Sequence, residues 1–308
     1  MKLRNAFKGK SMISSQNSPV YITHWSAWDR LYREELPKSL SVLLPPPEMS
    51  ISQHAEAKRY LSPESAAEPG KYHISTAPYQ KEMMDAVLDP AVEEVTFMLA
   101  SRLGKSTVLE NILGYYIDYD PAPMMMVLPD DTLAKRFSKI QLAPMIRHNP
   151  HIREKFGDMK QKSEGNEISF KAFRGGHIIM SSAQSPSSLS MYSVRIVLFD
   201  EVDRMVSSSG TEGDPIELGK QRAANYLNRK YIYASSPLIE ETSKIDTLFG
   251  ESDQRFLKVP CPHCEYRQIL VFGPRSRYST LTSGFLKFEK QDSQVINASY
   301  VCANCKRE

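Results

Sequence analysis

The 308-residue chain carries 39 Lys and Arg against 36 Asp and Glu, a formal charge of +3, and is 41% hydrophobic. That is enough chain and enough apolar content for one α/β domain of ordinary size plus a smaller appendage, with no disulfide framework required. No run approaches the roughly 20 apolar residues that cross a bilayer, and the basic stretch Met1 to Lys10 lacks the apolar run of a secretory leader, so a soluble intracellular protein without a membrane partner is expected. The near-balanced charge neither identifies nor excludes a nucleic-acid partner, because a local basic face can hide in such a total.

Residues 1–70 show little regular periodicity and hold the run Pro45 to Pro47 and the turn-rich Ser62 to Gly70, which predicts an N-terminal arm with short helices, one of them around Trp25 to Glu35. Trp25 and Trp28, three apart, share a face of that helix as a packing pair. From Tyr79 short apolar runs alternate with helix-length segments, the pattern of βα units around a parallel sheet. The predicted strands are Glu94 to Leu99, Met124 to Leu128, His177 to Ser181, Arg195 to Phe199 and Tyr231 to Ala234. Predicted helices cover Ser106 to Ile117 and Asp131 to Arg147, the second capped by the preceding Pro-Asp-Asp. Val206 to Gly213, rich in Ser and Gly, reads as a loop. The expected domains are an arm over 1–70, a βα domain over 71–258 and a cysteine module over 259–308.

Leu99-Ala-Ser-Arg-Leu-Gly-Lys-Ser-Thr107 follows a predicted strand and opens a predicted helix, the setting of a phosphate-binding loop. Inward-pointing N–H groups and the helix N-terminus bind triphosphate there with little side-chain help. Lys105 is expected on the β- and γ-phosphates and Ser106 on Mg²⁺; Ser101, Gly104 and Thr107 complete the cofactor-binding stretch. The standard spacing puts a first glycine at 99, where this chain has Leu99.

Arg195-Ile-Val-Leu-Phe-Asp-Glu-Val-Asp203 is an apolar strand ending in adjacent carboxylates, and strand C-termini line the ligand crevice of an open α/β sheet. Asp200 is expected to hold Mg²⁺, and Glu201 to orient the water that attacks the γ-phosphate. Such a pair after a strand is also a common solvated turn; the phosphate loop upstream gives it the catalytic reading. Ser235 and Ser236 end a further strand at the same edge and are placed to sense the γ-phosphate or its water.

All four cysteines lie beyond residue 260, as Cys261-Pro-His-Cys264 and Cys302-Ala-Asn-Cys305. Two matched CxxC knuckles, with room for a hairpin or two between, predict a closed structural Zn²⁺ site of four thiolates, with His263 in a turn and not a ligand. A redox-active CxxC is the competing reading.

Together these residues resemble the lambda-type family of phage terminase large subunits. The resemblance is carried in order by Ala77-Pro-Tyr-Gln80, Met84 to Pro90, Gly104-Lys-Ser106, Tyr116 to Pro121, Leu142 to Arg147, Ser185 to Leu189, Leu198 to Asp203, Gly213 to Glu217, Asn228 to Lys230, Ser235 to Pro237, Glu251 to Arg255 and Val259 to Cys264. It implies an α/β fold of the P-loop NTPase (ASCE/RecA-like) type, a mostly parallel sheet flanked by helices with a small zinc-ribbon-like module. It also implies an ATPase that translocates double-stranded DNA into a procapsid in the host cytoplasm, as a ring with the small terminase subunit and the portal protein as partners. ATP, Mg²⁺ and structural Zn²⁺ are the implied cofactors. Tyr79 and Gln80 are implied to recognise adenine. Arg102 is the loop's extra basic residue, counted with Lys105 and Glu201 as catalytic. Arg222 and Arg229 are both candidates for an arginine acting on a neighbouring subunit. Family members also carry a C-terminal nuclease, and no cleavage is expected from this chain, which stops after the second knuckle. Other readings are a superfamily-2-like helicase and a zinc-knuckle DNA-binding module with a vestigial ATPase.

Overall fold

The computed structural model describes residues 48–156, 167–239, 242–272 and 284–308, so the helix expected around Trp25 to Glu35 lies outside the described residues. In chain order the first elements are α1 (Ile51–Lys58), β1 (Tyr60–Leu61), β2 (Gly70–Lys71), α2 (Gln80–Ala86), β3 (Glu94–Met98), α3 (Lys105–Asp118), β4 (Met124–Leu128), α4 (Asp131–Arg136), α5 (Ala143–His148) and α6 (Pro150–Arg153). They are followed by β5 (Phe170–Phe173), β6 (Gly176–Ser182), α7 (Pro186–Ser190), β7 (Ile196–Asp200), α8 (Pro215–Gln221), β8 (Lys230–Ser235), α9 (Lys244–Gly250), β9 (Val259–Pro260), β10 (Arg267–Gln268), β11 (Phe285–Gln291) and β12 (Gln294–Val301).

Six strands form the main sheet in the order β3-β8-β7-β4-β6-β5. Every pairing is parallel except β5 with β6. All residues of β4, β7 and β8 are buried, which is why they read as unbroken apolar runs: a central parallel strand is covered on both faces. Successive residues still point to opposite faces. Met124, Met126, Ile196, Leu198, Ile232 and Ala234 share one core with Leu109, Ile112 and Leu113 of α3. Met125, Val127, Val197, Phe199, Tyr231 and Tyr233 share the other with Leu189 of α7, Ile216 of α8 and Ile245 of α9. Close packing on that second face depends on Gly219, where a Cβ would fall 2.8 Å from the Phe199 ring.

The five predicted strands are all present, within a residue of their expected ends. The antiparallel β5 was not expected: only the tertiary pairing with β6 makes its four residues a strand. The predicted helix from Asp131 to Arg147 begins as expected, with the Asp130 carboxylate accepting from the Leu133 N–H at 2.8 Å. It then widens into a π-helical stretch, Phe137–Leu142, before resuming as α5. Pro144 lacks an N–H, and its ring would strike the carbonyl one α-turn back, so the wider turn lets the helix pass it.

Residues from Met49 onward form one compact unit. Residues 49–70, assigned to the arm by the expected boundary at 70, therefore group with the sheet. Ser50-Ile-Ser-Gln53 forms a reciprocal capping box at the start of α1. Just past α1, Arg59 is buried against α3, paired with Glu110 and donating to Asn111 Oδ1 at 3.2 Å. Burial is the largest influence on both members of the pair, lowering the guanidinium and raising the carboxyl, and each partner offsets the other. Removing one member of such a pair strands a buried charge, so Glu110→Ala should cost about 3–5 kcal/mol in urea unfolding. A loss under 1 kcal/mol would mean the pair contributes nothing to holding residues 49–70 on the domain.

Candidate functional site at the sheet edge

Residues 99–104 leave β3 as a turn, and Gly104 at φ 75° hands the chain to α3, which starts at Lys105. A left-handed φ suits glycine, and a Cβ here would also lie 2.2 Å from Gln80 Nε2. Arg102, at φ 67°, takes the same strained conformation without glycine's freedom. At the end of β7 a second non-glycine residue does so: Glu201 has φ 58° and ψ 48°. Two such residues at one sheet edge mark a place where the backbone is held against its preference, as functional sites often are.

The geometry brings together the three residues on which the sequence reading depends. Lys105 Nζ donates to Glu201 Oε1 at 2.6 Å and lies 3.4 Å from Asp200 Oδ1. Asp200 Oδ1 in turn accepts the Glu201 N–H at 3.0 Å. Burial pushes the Asp200 carboxyl above its ordinary value, while the Lys105 ammonium pulls it back and the neighbouring Glu201 adds to the rise. Glu201 remains partly open to solvent, with Arg204 at 3.6 Å on its other oxygen.

Of the other predicted residues, Gln80 is buried, accepts from Tyr72 Oη at 2.9 Å and leans on Gly104. Tyr79 donates its hydroxyl to the Leu103 carbonyl at 2.9 Å, so both flank the loop. Ser101 and Arg102 are exposed in the loop, and Ser106 and Thr107 occupy the first turn of α3. Ser235 is fully buried at the end of β8, and its Oγ accepts the Asp203 N–H at 3.2 Å; Ser236 is the next residue out of the strand. Arg222 and Arg229 do not join this group. Arg229 precedes β8, the opposite end of the strand from Ser235, and pairs with Glu93. The Arg222 carbonyl accepts from Val194, ahead of β7, and its guanidinium donates to the Ser190 carbonyl.

Asp203, to which the sequence motif assigns no role, holds two backbone segments together at this edge. Its carboxylate accepts the Leu238 N–H at 2.9 Å and the Ile245 N–H at 2.8 Å. With the Ser235 bond, it ties the segment after β7 to the chain leaving β8. A carboxylate two residues past the acidic pair was the only hint in the sequence; its partners are set by a loop whose path the sequence does not state.

The cysteines converge as expected. The first knuckle turns between β9 and β10, the second follows β12, and all four Sγ atoms lie within 4.8 Å of one another. Cys261 and Cys305 are 3.9 Å apart, and Cys264 and Cys302 are 3.8 Å apart. A tetrahedron with Zn–S bonds of about 2.3 Å has edges of about 3.8 Å. The knuckles are near copies: His263 N–H and Asn304 N–H each approach the Sγ two residues back at 3.4 Å, and Glu265 and Lys306 both sit at φ 57°. The Tyr266 backbone N–H is the largest influence on the Cys264 thiol, holding it down to about 6, with the Asn304 amide acting in the same direction. His263 points its ring away, with Nε2 3.1 Å from the Glu308 carbonyl. Soft, preorganised and correctly spaced, this donor set fits Zn²⁺.

Known proteins resemble this chain in sequence and in fold. The chain is 28% identical over 279 residues to the terminase large subunit of Escherichia phage lambda, covering 85% of this chain and 43% of that protein. It is 28% identical over 267 residues to the corresponding subunit of Enterobacteria phage P21, covering 85% and 40%. It thus spans about two fifths of the length of these relatives. Among solved structures, the large terminase of bacteriophage HK97 superposes with a TM-score of 0.51 over 66% of this chain and 41% of that one, at 14% identity, a likeness of fold. No helix among the described residues is long and apolar enough to cross a membrane. The profile described as "Phage terminase large subunit gpA, ATPase domain" matches residues 66–308. Since that match takes in the sheet, the loop before Lys105 and the cysteine module alike, the chain belongs to the family of the phage terminase large subunit gpA ATPase domain.

Proposed function

We propose that this chain is the ATP-hydrolysing motor part of a DNA-packaging enzyme, driving double-stranded DNA into a procapsid. The observation that carries the reading is the meeting of Lys105, Asp200 and Glu201 at the C-terminal edge of the parallel strands. The loop before Lys105 acts as a variant P-loop, with the α3 N-terminus facing the phosphates. Lys105, held between two carboxylates, is a cation that the more highly charged triphosphate competes for. Asp200 and the Ser106 hydroxyl are hard oxygen donors of the kind Mg²⁺ takes, and the ion would neutralise charge on the β- and γ-phosphates. Glu201 accepts a hydrogen bond from the attacking water as the terminal P–O bond breaks, which leaves ADP and phosphate. Tyr79 and Gln80 flank the loop as the base-recognition pair, and Arg102 adds positive charge. Ser235, through Asp203, passes the change at the phosphate to the segment Leu238 to Ile245. The cysteine module holds Zn²⁺ in a structural role. The small subunit, the portal and neighbouring copies in a ring are the partners this reading assigns.

Steady-state ATP hydrolysis with and without double-stranded DNA tests it. Glu201→Gln should lower kcat by about 10²–10⁴-fold, the usual contribution of a positioned base, while nucleotide binding survives. DNA stimulation should weaken as salt rises, since the contacts are to phosphates. A chain that hydrolyses no ATP, alone or assembled with small subunit, portal and DNA, would sink the motor reading.

A further inference from the structure

At the far end of α3 from Lys105, three potential metal ligands meet that play no part in the site above. His54 comes from α1, Asp118 is the last residue of α3, and His151 lies on α6. One ligand atom from each falls within 4.8 Å of the others. His54 is 3% exposed and the Asp118 side chain 7%. His54 Nε2 lies 2.9 Å from Asp118 Oδ2, and the His54 and His151 rings meet edge to face with centroids 5.8 Å apart. His151 Nε2 is buried and has no hydrogen-bond partner. Buried polar atoms are nearly always satisfied, so an orphaned imidazole nitrogen beside a histidine and a carboxylate calls for an explanation.

We propose that His54, Asp118 and His151 form a second metal site, for a divalent transition-metal ion of the zinc class. Two imidazoles and one carboxylate are a borderline donor set that zinc, cobalt and nickel accept and that Mg²⁺ and Ca²⁺ do not favour. Bonds of about 2.0–2.1 Å give ligand separations of about 3.3 Å in a tetrahedron, so closure takes about an ångström of side-chain movement. Three protein ligands leave the fourth position to water. Two lysines also touch the carboxylate: Lys58 Nζ at 2.7 Å from Oδ2 and Lys155 Nζ at 3.5 Å from Oδ1. Their side chains are 38% and 30% exposed, so each can move its ammonium into water when a cation binds. The ion would staple α1 and α6 to the end of α3, roughly 20 Å along the helix from Lys105 at 1.5 Å per residue. The inference stands independently of the motor reading.

Titration of the full chain with Co²⁺, its cysteine site already loaded with zinc, tests this. A further equivalent should bind with the visible bands of nitrogen and oxygen coordination and without the near-ultraviolet thiolate charge-transfer band. His151→Ala should lose that equivalent and keep the cysteine-bound metal; its own ring nitrogen has no partner to lose. Lys58→Met, which removes a competing ammonium, should tighten Co²⁺ several-fold and supplies the readout if the histidine variant folds poorly. Binding of no further equivalent, its persistence in His151→Ala, or unchanged affinity in Lys58→Met would each overturn the site and leave the trio a hydrogen-bonded contact between helices.

Discussion

Lys105→Ala should reduce ATP turnover by about 10²–10³-fold, the scale for removing one preorganised charge stabiliser. Its side chain is 10% exposed, and its ammonium is the cation bridging Asp200 and Glu201. Lys105→Arg should not rescue, because the planar guanidinium is longer and its fork does not fit a compact pocket shaped for a point charge. The substitution also leaves a detectable mark on stability. Asp200 is already pushed up by burial, and Lys105 opposes that rise. Without the lysine the carboxyl rises further. A carboxyl whose folded value lies above its unfolded one favours the fold at low pH and loses that contribution as pH climbs through the folded value. The variant's urea midpoint should therefore fall more than the parent's as pH is raised above the ordinary carboxylate range. Turnover within an order of magnitude of the parent, in a chain with an unchanged circular dichroism spectrum, would remove Lys105 from the phosphate role.

Loss of the cysteine-bound metal should produce the largest effect on stability. Among the described residues β11 and β12 pair only with each other, and most of their residues are exposed. An isolated two-stranded ribbon is marginal in water. Among the described residues of the module the buried side chains are few: Cys261, Gln268, Val271, Cys302 and Ala303. Tyr300 Oη donating to the Ile269 carbonyl at 3.2 Å and Gln268 accepting from the Ala303 N–H at 2.8 Å link the two knuckles but add little core. A structural zinc site contributes about 10–16 kcal/mol of apparent binding free energy at neutral pH, far above anything those contacts supply. Cys302→Ser, or a strong chelator, should make the chain beyond Pro260 protease-sensitive while the six-stranded sheet unfolds at its former midpoint. Limited proteolysis with mass spectrometry, beside metal analysis, reads both. A module that resists protease equally when stripped of metal would make the tetrahedral spacing of the thiols incidental.

The sequence by itself determined the elements whose physics is local. Met124 to Leu128 and Arg195 to Phe199 read as strands because short apolar runs alternating with helix-length segments are the pattern of βα units around a parallel sheet. The Lys105 loop, the carboxylates of Asp200 and Glu201 and the two knuckles were legible because their chemistry fixes residue type and close spacing. The tertiary structure decided what depends on distant chain segments meeting. Arg59 and Glu110, the antiparallel β5, the clamp of Asp203 on Leu238 and Ile245, and the trio His54, Asp118 and His151 all join partners far apart in sequence. A lone histidine or aspartate on a helix carries no mark of what will face it. Packing of helices on both sides of one sheet chooses those neighbours, and no local pattern encodes that choice.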